Sequence, residues 1–290
     1  MSKLKVAEIF YSLQGEGKFV GVPSVFLRTF GCNFQCRGFG MPSAQKTTEP
    51  EQIAEDFKKH PEWRYEDLPL ARTGCDSYAS WHPAFKDLSP TLEIPAVMKE
   101  IETVRQSLHG RLVNDGRVHL VITGGEPLLG WQRAYPELFV LLREHGYTDV
   151  TFETNGTQPI AEDFANFLLV EQIKNPKPIR VTFSVSAKLP CSGERIDEAL
   201  KPEVVASYQQ FGETYLKFVV ANKIDVEHAK HFIHDYQDAG WDGDVYLMPV
   251  GGISDLYNLT APDVAALALS TGYKYSPRLQ VDIWKNAWGT

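Results

Sequence analysis

Strand-like and helix-like runs alternate along this chain, and no other feature limits its fold as strongly. Runs rich in β-branched and aromatic residues recur at 6–11, 24–30, 118–123, 149–153, 180–186, 215–220 and 244–248. Helical patterns lie between most of them, clearest at 94–107, 135–145, 161–169, 225–237 and 261–269, several with Asp, Ser, Thr or Pro near their starts. Strand, helix, strand alternation predicts an α/β fold, a parallel sheet with helices outside it. The 290 residues are 43% hydrophobic, enough to bury a large core. There is no internal repeat and no interdomain linker, so residues 1–290 read as a single domain.

The first crossover, from Phe30 to Val118, is the anomaly. Residues 37–92 mix Gly, Pro, charge and aromatics, including Trp63, Tyr65 and Trp81, with one helical candidate at 49–59. Long connections are usually functional or disordered, and the aromatic content argues against disorder. A folded insertion packed near the active site is expected.

At the head of that crossover stands Gly31-Cys-Asn-Phe-Gln-Cys36, directly after a strand-like run. Thiolates on one tight loop at a strand end suit a soft metal centre better than a disulfide. The chain has four cysteines, Cys32, Cys36, Cys75 and Cys191. The net charge of -8 gives no electrostatic footprint for nucleic acid. No apolar stretch reaches the roughly 18 residues of a membrane span, and the first residues lack a signal-peptide core. Small-molecule or protein partners and a cytoplasmic location are expected, where four cysteines favour thiol or metal chemistry over disulfides.

After the central strand comes Thr123-Gly-Gly-Glu-Pro127, whose glycines let the backbone approach a ligand and whose carboxylate sits at the strand's C-terminal end. A glycine turn starting a helix is the plain alternative. Together with the Cys-x-x-x-Cys loop, however, the segment resembles the pattern of radical S-adenosylmethionine (SAM) enzymes. In these, three cysteines hold a [4Fe-4S] cluster, and a glycine-rich strand end binds the SAM amino group. Further along, Glu8-Ile-Phe-Tyr-Ser-Leu-Gln-Gly-Glu-Gly17 resembles the opening of the 7-carboxy-7-deazaguanine synthase (QueE) family. Matches continue at Phe26-Leu-Arg28, Glu153-Thr-Asn-Gly-Thr157, Val185-Ser-Ala-Lys188, Leu216-Lys-Phe-Val219, Leu247-Met-Pro-Val-Gly251, Ser276-Pro-Arg-Leu-Gln280 and Ile283-Trp284. The likeness spans residues 6–284, interrupted mainly at 37–74.

The resemblance implies a partial parallel β/α barrel with its site at the strand C-termini. It also implies a ring contraction of 6-carboxy-5,6,7,8-tetrahydropterin to 7-carboxy-7-deazaguanine with loss of ammonia, a step of queuosine-type 7-deazapurine biosynthesis. One electron from the cluster cleaves SAM to methionine and a 5'-deoxyadenosyl radical, which abstracts a substrate hydrogen, and SAM is regenerated. In the family loop a third cysteine stands where this chain has Phe39. That cysteine is followed by Asp and Thr or Ser, as in Cys75-Asp-Ser77, so Cys75 becomes the expected third ligand and residues 37–74 an insertion inside the cluster loop. Closure entropy rises slowly enough with length to allow it.

The implied SAM contacts are Gly74, Asp76, Gly125, Glu126, Asn155, Ser186, Ala187, Lys188, Met248 and Pro249, and Ser77 is the implied Mg2+ ligand. Ser186 and Lys188 suit the ribose or carboxylate, and Met248 and Pro249 the adenine. The implied substrate contacts are Leu13, Gln14, Gly15, Glu16, Arg28 and Thr123. Gln14 offers donor and acceptor to a pterin edge, Glu16 accepts from a guanidine-like N–H pair, and Arg28 can grip a carboxylate bidentately. An electron donor such as flavodoxin or ferredoxin, and a homodimer, are implied as well. Cys191 has no counterpart; it reads as structural or as part of a four-cysteine zinc site with the others. His228, His231 and His234 lack a paired carboxylate motif and read as an exposed polar helix face. Two rival classes stay open, a radical SAM enzyme for another small molecule and a binding protein that kept the fold without the cluster.

Overall fold

A computed structural model of the chain describes residues 2–107 and 118–290. Its strands are β1 (Lys3–Leu13), β2 (Pro23–Thr29), β3 (Thr91–Glu93), β4 (His119–Gly124), β5 (Asp149–Thr154), β6 (Arg180–Val185), β7 (Glu213–Val220), β8 (Val245–Pro249) and β9 (Lys274–Tyr275). Among the described residues they make one open sheet in the order β3-β1-β2-β4-β5-β6-β7-β8-β9. From β2 to β9 every pairing is parallel. The expected α/β fold with its mostly parallel sheet is present, and at the other edge β1 runs antiparallel to both β2 and β3. The physical reason is connection length. The few residues between β1 and β2 suffice for a hairpin, whereas a parallel crossover needs a dozen or more.

Side-chain alternation explains how the sheet both folds and opens a site. Leu120, Ile122, Val150, Phe152, Val181, Phe183, Leu216, Phe218 and Leu247 point to one face and join the main core under the helices. The intervening positions Thr123, Glu153, Lys217, Val219 and Met248 point the other way and line a cavity. The helices that cover the apolar face include α2 (Ile94–Ser107), α3 (Tyr135–Glu144), α4 (Glu162–Lys174), α7 (Lys223–Asp238) and α8 (Ser254–Thr271), where α1 is Glu49–Phe57, α5 Ile196–Ala199 and α6 Pro202–Tyr208. Asn222 caps α7 by accepting from the amides of Ile224 at 2.8 Å and Asp225 at 3.2 Å. The helix expected at 261–269 starts instead at Ser254 and runs through Pro262. Proline suggests a first turn in sequence, but inside a helix it removes only one backbone bond and can be carried by packing.

Residues 37–74 fold. Ile53, Ala54, Tyr65, Leu68 and Ala71 form a second core with Ala7, Tyr78, Ala79, Trp81 and Phe85. Trp288 closes it, its ring edge-on to Tyr65 at 5.0 Å and its Nε1 donating to the Leu68 carbonyl at 2.7 Å. The two limbs of this excursion meet at a neck, where the amide of Gly74 donates to the carbonyl of Phe39 at 2.7 Å. The Glu49 carboxylate accepts there from the amides of Arg72 and Thr73, both at 2.9 Å, and from the Thr73 hydroxyl at 2.9 Å. Three bonds to one carboxylate offset closure entropy that the short neck alone would not.

Replacing Glu49 by Ala is therefore expected to cost about 2 kcal/mol, local to the excursion. Hydrogen exchange should show faster amide exchange across residues 37–74 and little change in β4 to β7.

Candidate active site

Two strand ends approach so closely that side chains are excluded between them. A Cβ on Gly124, whose φ is +140°, would lie 2.1 Å from the Thr29 carbonyl oxygen, and one on Gly125 2.3 Å from that of Gly31 and 2.7 Å from Cys32 Cβ. The amide of Glu126 donates to the Gly31 carbonyl at 2.7 Å. The two glycines thus first serve the seating of the cysteine loop on β4. The loop's other side is held by Glu194, which accepts from the amides of Gln35 at 2.9 Å and Cys36 at 2.6 Å.

Above this junction opens a cavity of about 240 Å3 lined by Cys32, Cys36 and Cys75 together. Cys75 arrives there because the neck returns the chain beside Phe39, which also lines the cavity under the Lys188 ammonium, 5.9 Å from its ring centre. All four cysteines are free thiols. Burial pushes the Cys32 thiol up to about 12 and that of Cys75 up to about 11, and raises Cys36 well above its ordinary value. Ligation as thiolates would therefore require the positive charge of bound metal. Among the described residues no three His, Cys, Asp or Glu side chains converge as a single ion demands. A cubane takes one thiolate per iron, so its ligands stand farther apart than those of one ion. The Trp81 indole N–H, buried without a hydrogen-bond partner, lines the same cavity, a donor suited to sulfur. The donor set fits a three-cysteine cluster. It does not fit a four-cysteine zinc site, because Cys191 lies outside the lining and turns its thiol to the Val219 carbonyl at 3.6 Å.

Of the other residues expected at the site, Leu13, Gln14, Gly15, Glu16, Arg28, Gly74, Asp76, Ser77, Thr123, Gly125, Asn155, Ser186, Lys188 and Met248 all line this cavity. Glu126, Ala187 and Pro249 do not. Glu126 is fully buried behind the junction, accepting from the amides of Leu128 at 3.0 Å and Asn155 at 2.7 Å and from the Thr154 hydroxyl at 2.7 Å. Burial raises its carboxyl, with these donors opposing. It braces two strand ends, a role its place in a ligand-binding motif conceals. Ala187 belongs to the main core.

Arg28 Nε donates to Glu8 at 3.2 Å and Nη1 to the Ser77 hydroxyl at 3.0 Å. Ser77 offers a cation one neutral oxygen, already an acceptor from a guanidinium. Of the three histidines on α7, His231 and His234 are exposed and His228 is half-buried.

Sequence reasoning left Glu153, Lys217, Arg278 and Gln280 without roles, although they form the charged floor of the cavity. Lys217 is only 2% exposed; its Nζ donates to Glu16 at 2.7 Å and Glu153 at 2.8 Å. Glu16 also accepts from Gln280 Nε2 at 2.7 Å and Arg278 Nε at 3.3 Å, and Gln14 Nε2 donates to Glu153 at 3.1 Å. Burial alone would raise the Glu16 carboxyl, but Lys217 and Arg278 beside it prevail and hold it at about 2. Burial opposes the Lys217 charge, yet Glu153 and then Glu16 lift it above its ordinary range. The available signal was a lone lysine in the run Tyr-Leu-Lys-Phe-Val-Val, since a charge inside a buried strand needs partners.

No protein-family model matches the chain. A 7-carboxy-7-deazaguanine synthase of Halobacterium salinarum is 31% identical over 98% of this chain and 91% of the relative. Another, of Pyrobaculum aerophilum, is 28% identical over 99% and 97%. The crystal structure of QueE from Escherichia coli superposes with a TM-score of 0.54 over 96% of this chain and 94% of that one, at 20% identity, so the fold is shared. That fold defines an α/β protein of the partial-barrel class, with an open, mostly parallel sheet and a polar cavity at its strand ends. The chain belongs to the 7-carboxy-7-deazaguanine synthase family. No helix among the described residues is long and apolar enough to cross a membrane.

The Glu16 linkage has a definite sign. A carboxyl lowered from 4.5 to about 2 stabilises the fold fully above pH 4.5 and loses that contribution as pH falls toward 2. Lys217→Met removes the shared cation and is expected to cost about 3 to 5 kcal/mol at pH 7, less at pH 5 as an orphaned carboxyl takes up a proton. Denaturant unfolding at the two pH values checks it.

Proposed function

We propose that the chain catalyses the ring contraction of 6-carboxy-5,6,7,8-tetrahydropterin to 7-carboxy-7-deazaguanine. One observation carries this reading. The three cysteines of the cluster pattern share a single cavity with Gln14, Glu16 and Arg28, in a chain that matches synthases along nearly its whole length. Residues 37–74 are then an insertion in the cluster loop of a single radical SAM domain, with Cys32, Cys36 and Cys75 as the [4Fe-4S] ligands.

What a bound cluster and SAM supply is a one-electron route for removing a hydrogen atom from carbon. The protein's own residues select and hold the substrate. Glu16, kept ionised by Lys217, Arg278 and Gln280, accepts from the guanidine-like N–H pair of the pterin. Gln14 is oriented by Glu153 and by the amide of Glu16, which donates to its Oε1 at 3.2 Å, leaving one donor and one lone pair for the ring edge. Arg28 keeps N–H groups beyond those bound to Glu8 and Ser77 for the substrate carboxylate. A Mg2+ at Ser77 would be completed by substrate oxygens and waters, the carboxylate neutralising Arg28 as the ion arrives. Lys188, bonded to Ser186 at 3.0 Å, is placed for the SAM carboxylate. The remaining SAM contacts proposed are Gly74, Asp76, Gly125, Asn155 and Met248. A pterin substrate, an external electron donor and a homodimer complete the reading.

Anaerobically reconstituted protein given SAM, a reductant and carboxytetrahydropterin should release 7-carboxy-7-deazaguanine and ammonia, detected by mass spectrometry. A colourless protein that takes up no iron or sulfide would sink this reading, and SAM cleavage with the pterin untouched would point to another substrate. Cys75→Ala is expected to abolish iron and sulfide uptake while Cys191→Ala retains both. A full cluster in the Cys75 variant would remove Cys75 from the ligand set.

A further inference from the structure

We propose that Arg278 is a positioning residue that couples substrate binding at Glu16 to the order of the loop that carries Cys75 and Asp76. The inference rests on the reaction proposed above and assigns work to a residue that the pterin and SAM contacts leave out.

Arg278 is 7% exposed and stands where three segments meet. Its Nε reaches Glu16 Oε1 at 3.3 Å, Nη2 is paired with Asp76 in the returning limb of the excursion, and Nη1 donates to the Gly251 carbonyl past the end of β8. The backbone beneath it is fixed twice. The Arg278 amide donates to the Tyr257 hydroxyl at 3.2 Å, and the Leu279 amide to the Gly15 carbonyl at 3.0 Å. A planar guanidinium serves three acceptors in different directions, which an ammonium does not.

Of the three donors on Glu16, Arg278 is the longest, at 3.3 Å against 2.7 Å for Lys217 and 2.7 Å for Gln280. An N–H pair arriving at Glu16 therefore competes most easily with Arg278. Displaced there, the guanidinium keeps its other two partners and gives its charge to Asp76 and the Gly251 carbonyl. Asp76 directly follows Cys75 and accepts from the Ser77 hydroxyl at 3.4 Å, so the returning limb tightens as the substrate seats. Such coupling is reciprocal, and whatever factor substrate adds to SAM binding, SAM adds to substrate binding.

The test measures SAM affinity on reconstituted protein with and without 6-carboxypterin, an unreactive oxidised analogue, for wild type, Arg278→Lys and Arg278→Gln. Wild type should bind SAM at least ~5-fold tighter with the pterin present. Both variants should lose that gain while keeping iron content, measured below their lowered melting temperatures, and should form more 5'-deoxyadenosine per product released. A variant that retains the coupling overturns the proposal. So does loss of the cluster by both variants in otherwise folded protein, which would make Arg278 a prop of the cluster loop alone. Wild-type turnover is read in parallel. Turnover with coupling preserved in the variants overturns only the role of Arg278, whereas no turnover of carboxytetrahydropterin overturns the proposed reaction and this inference with it.

Discussion

The contact on which the site depends is the approach of two backbones, Gly124 and Gly125 at the end of β4 against Thr29 and Gly31 at the end of β2. A single methyl group at either glycine would push the strand ends apart by van der Waals exclusion, and the cysteine loop would leave the sheet with them. Because the Glu126 amide and carboxylate tie the same junction to Gly31 and Asn155, β2, β4 and β5 end in one rigid platform. The loops above it are long and irregular, yet their roots are fixed. A radical enzyme needs this division, with a firm base for reacting groups and a cover that shields them from water.

The charged floor works by mutual neutralisation. Glu16, Glu153 and Asp76 face Lys217 and Arg278 in a space where an unpaired charge would be costly. A substrate that entered this network would exchange partners and add little new polarity, so selectivity would rest on whether the incoming groups replace the bonds they displace. A pterin edge, with donors and acceptors in alternation, can do so, whereas an apolar ring of the same size would leave Gln14 and Glu16 with capacity unmet.

Much of this was legible in sequence because it rests on periodicity and on motifs longer than a few residues. The parallel run from β2 to β8 follows from alternation, and the placement of Gln14, Glu16, Arg28 and the cysteines in one cavity follows the motif positions. What was not legible depends on partners distant in sequence. Lys217 announces a buried charge but not that Glu16 and Glu153 meet it, and Arg278 sits in a short segment whose three partners lie on three other segments. The bracing bonds of Glu126 were hidden for the same reason, since Thr154 and Asn155 lie 28 and 29 residues further on. The antiparallel edge and the start of α8 were missed through connection length and a proline within a helix.

The packing of Trp288 has a consequence for the order in which the molecule is made. Its indole bonds to Leu68, 220 residues earlier in the chain, and its ring completes a small core that otherwise lacks a side. During synthesis, at about 5–20 residues per second, the excursion emerges long before that partner does. The neck at Phe39 and Gly74 joins residues already present by then, but the small core beside it cannot close until Trp288 has been made.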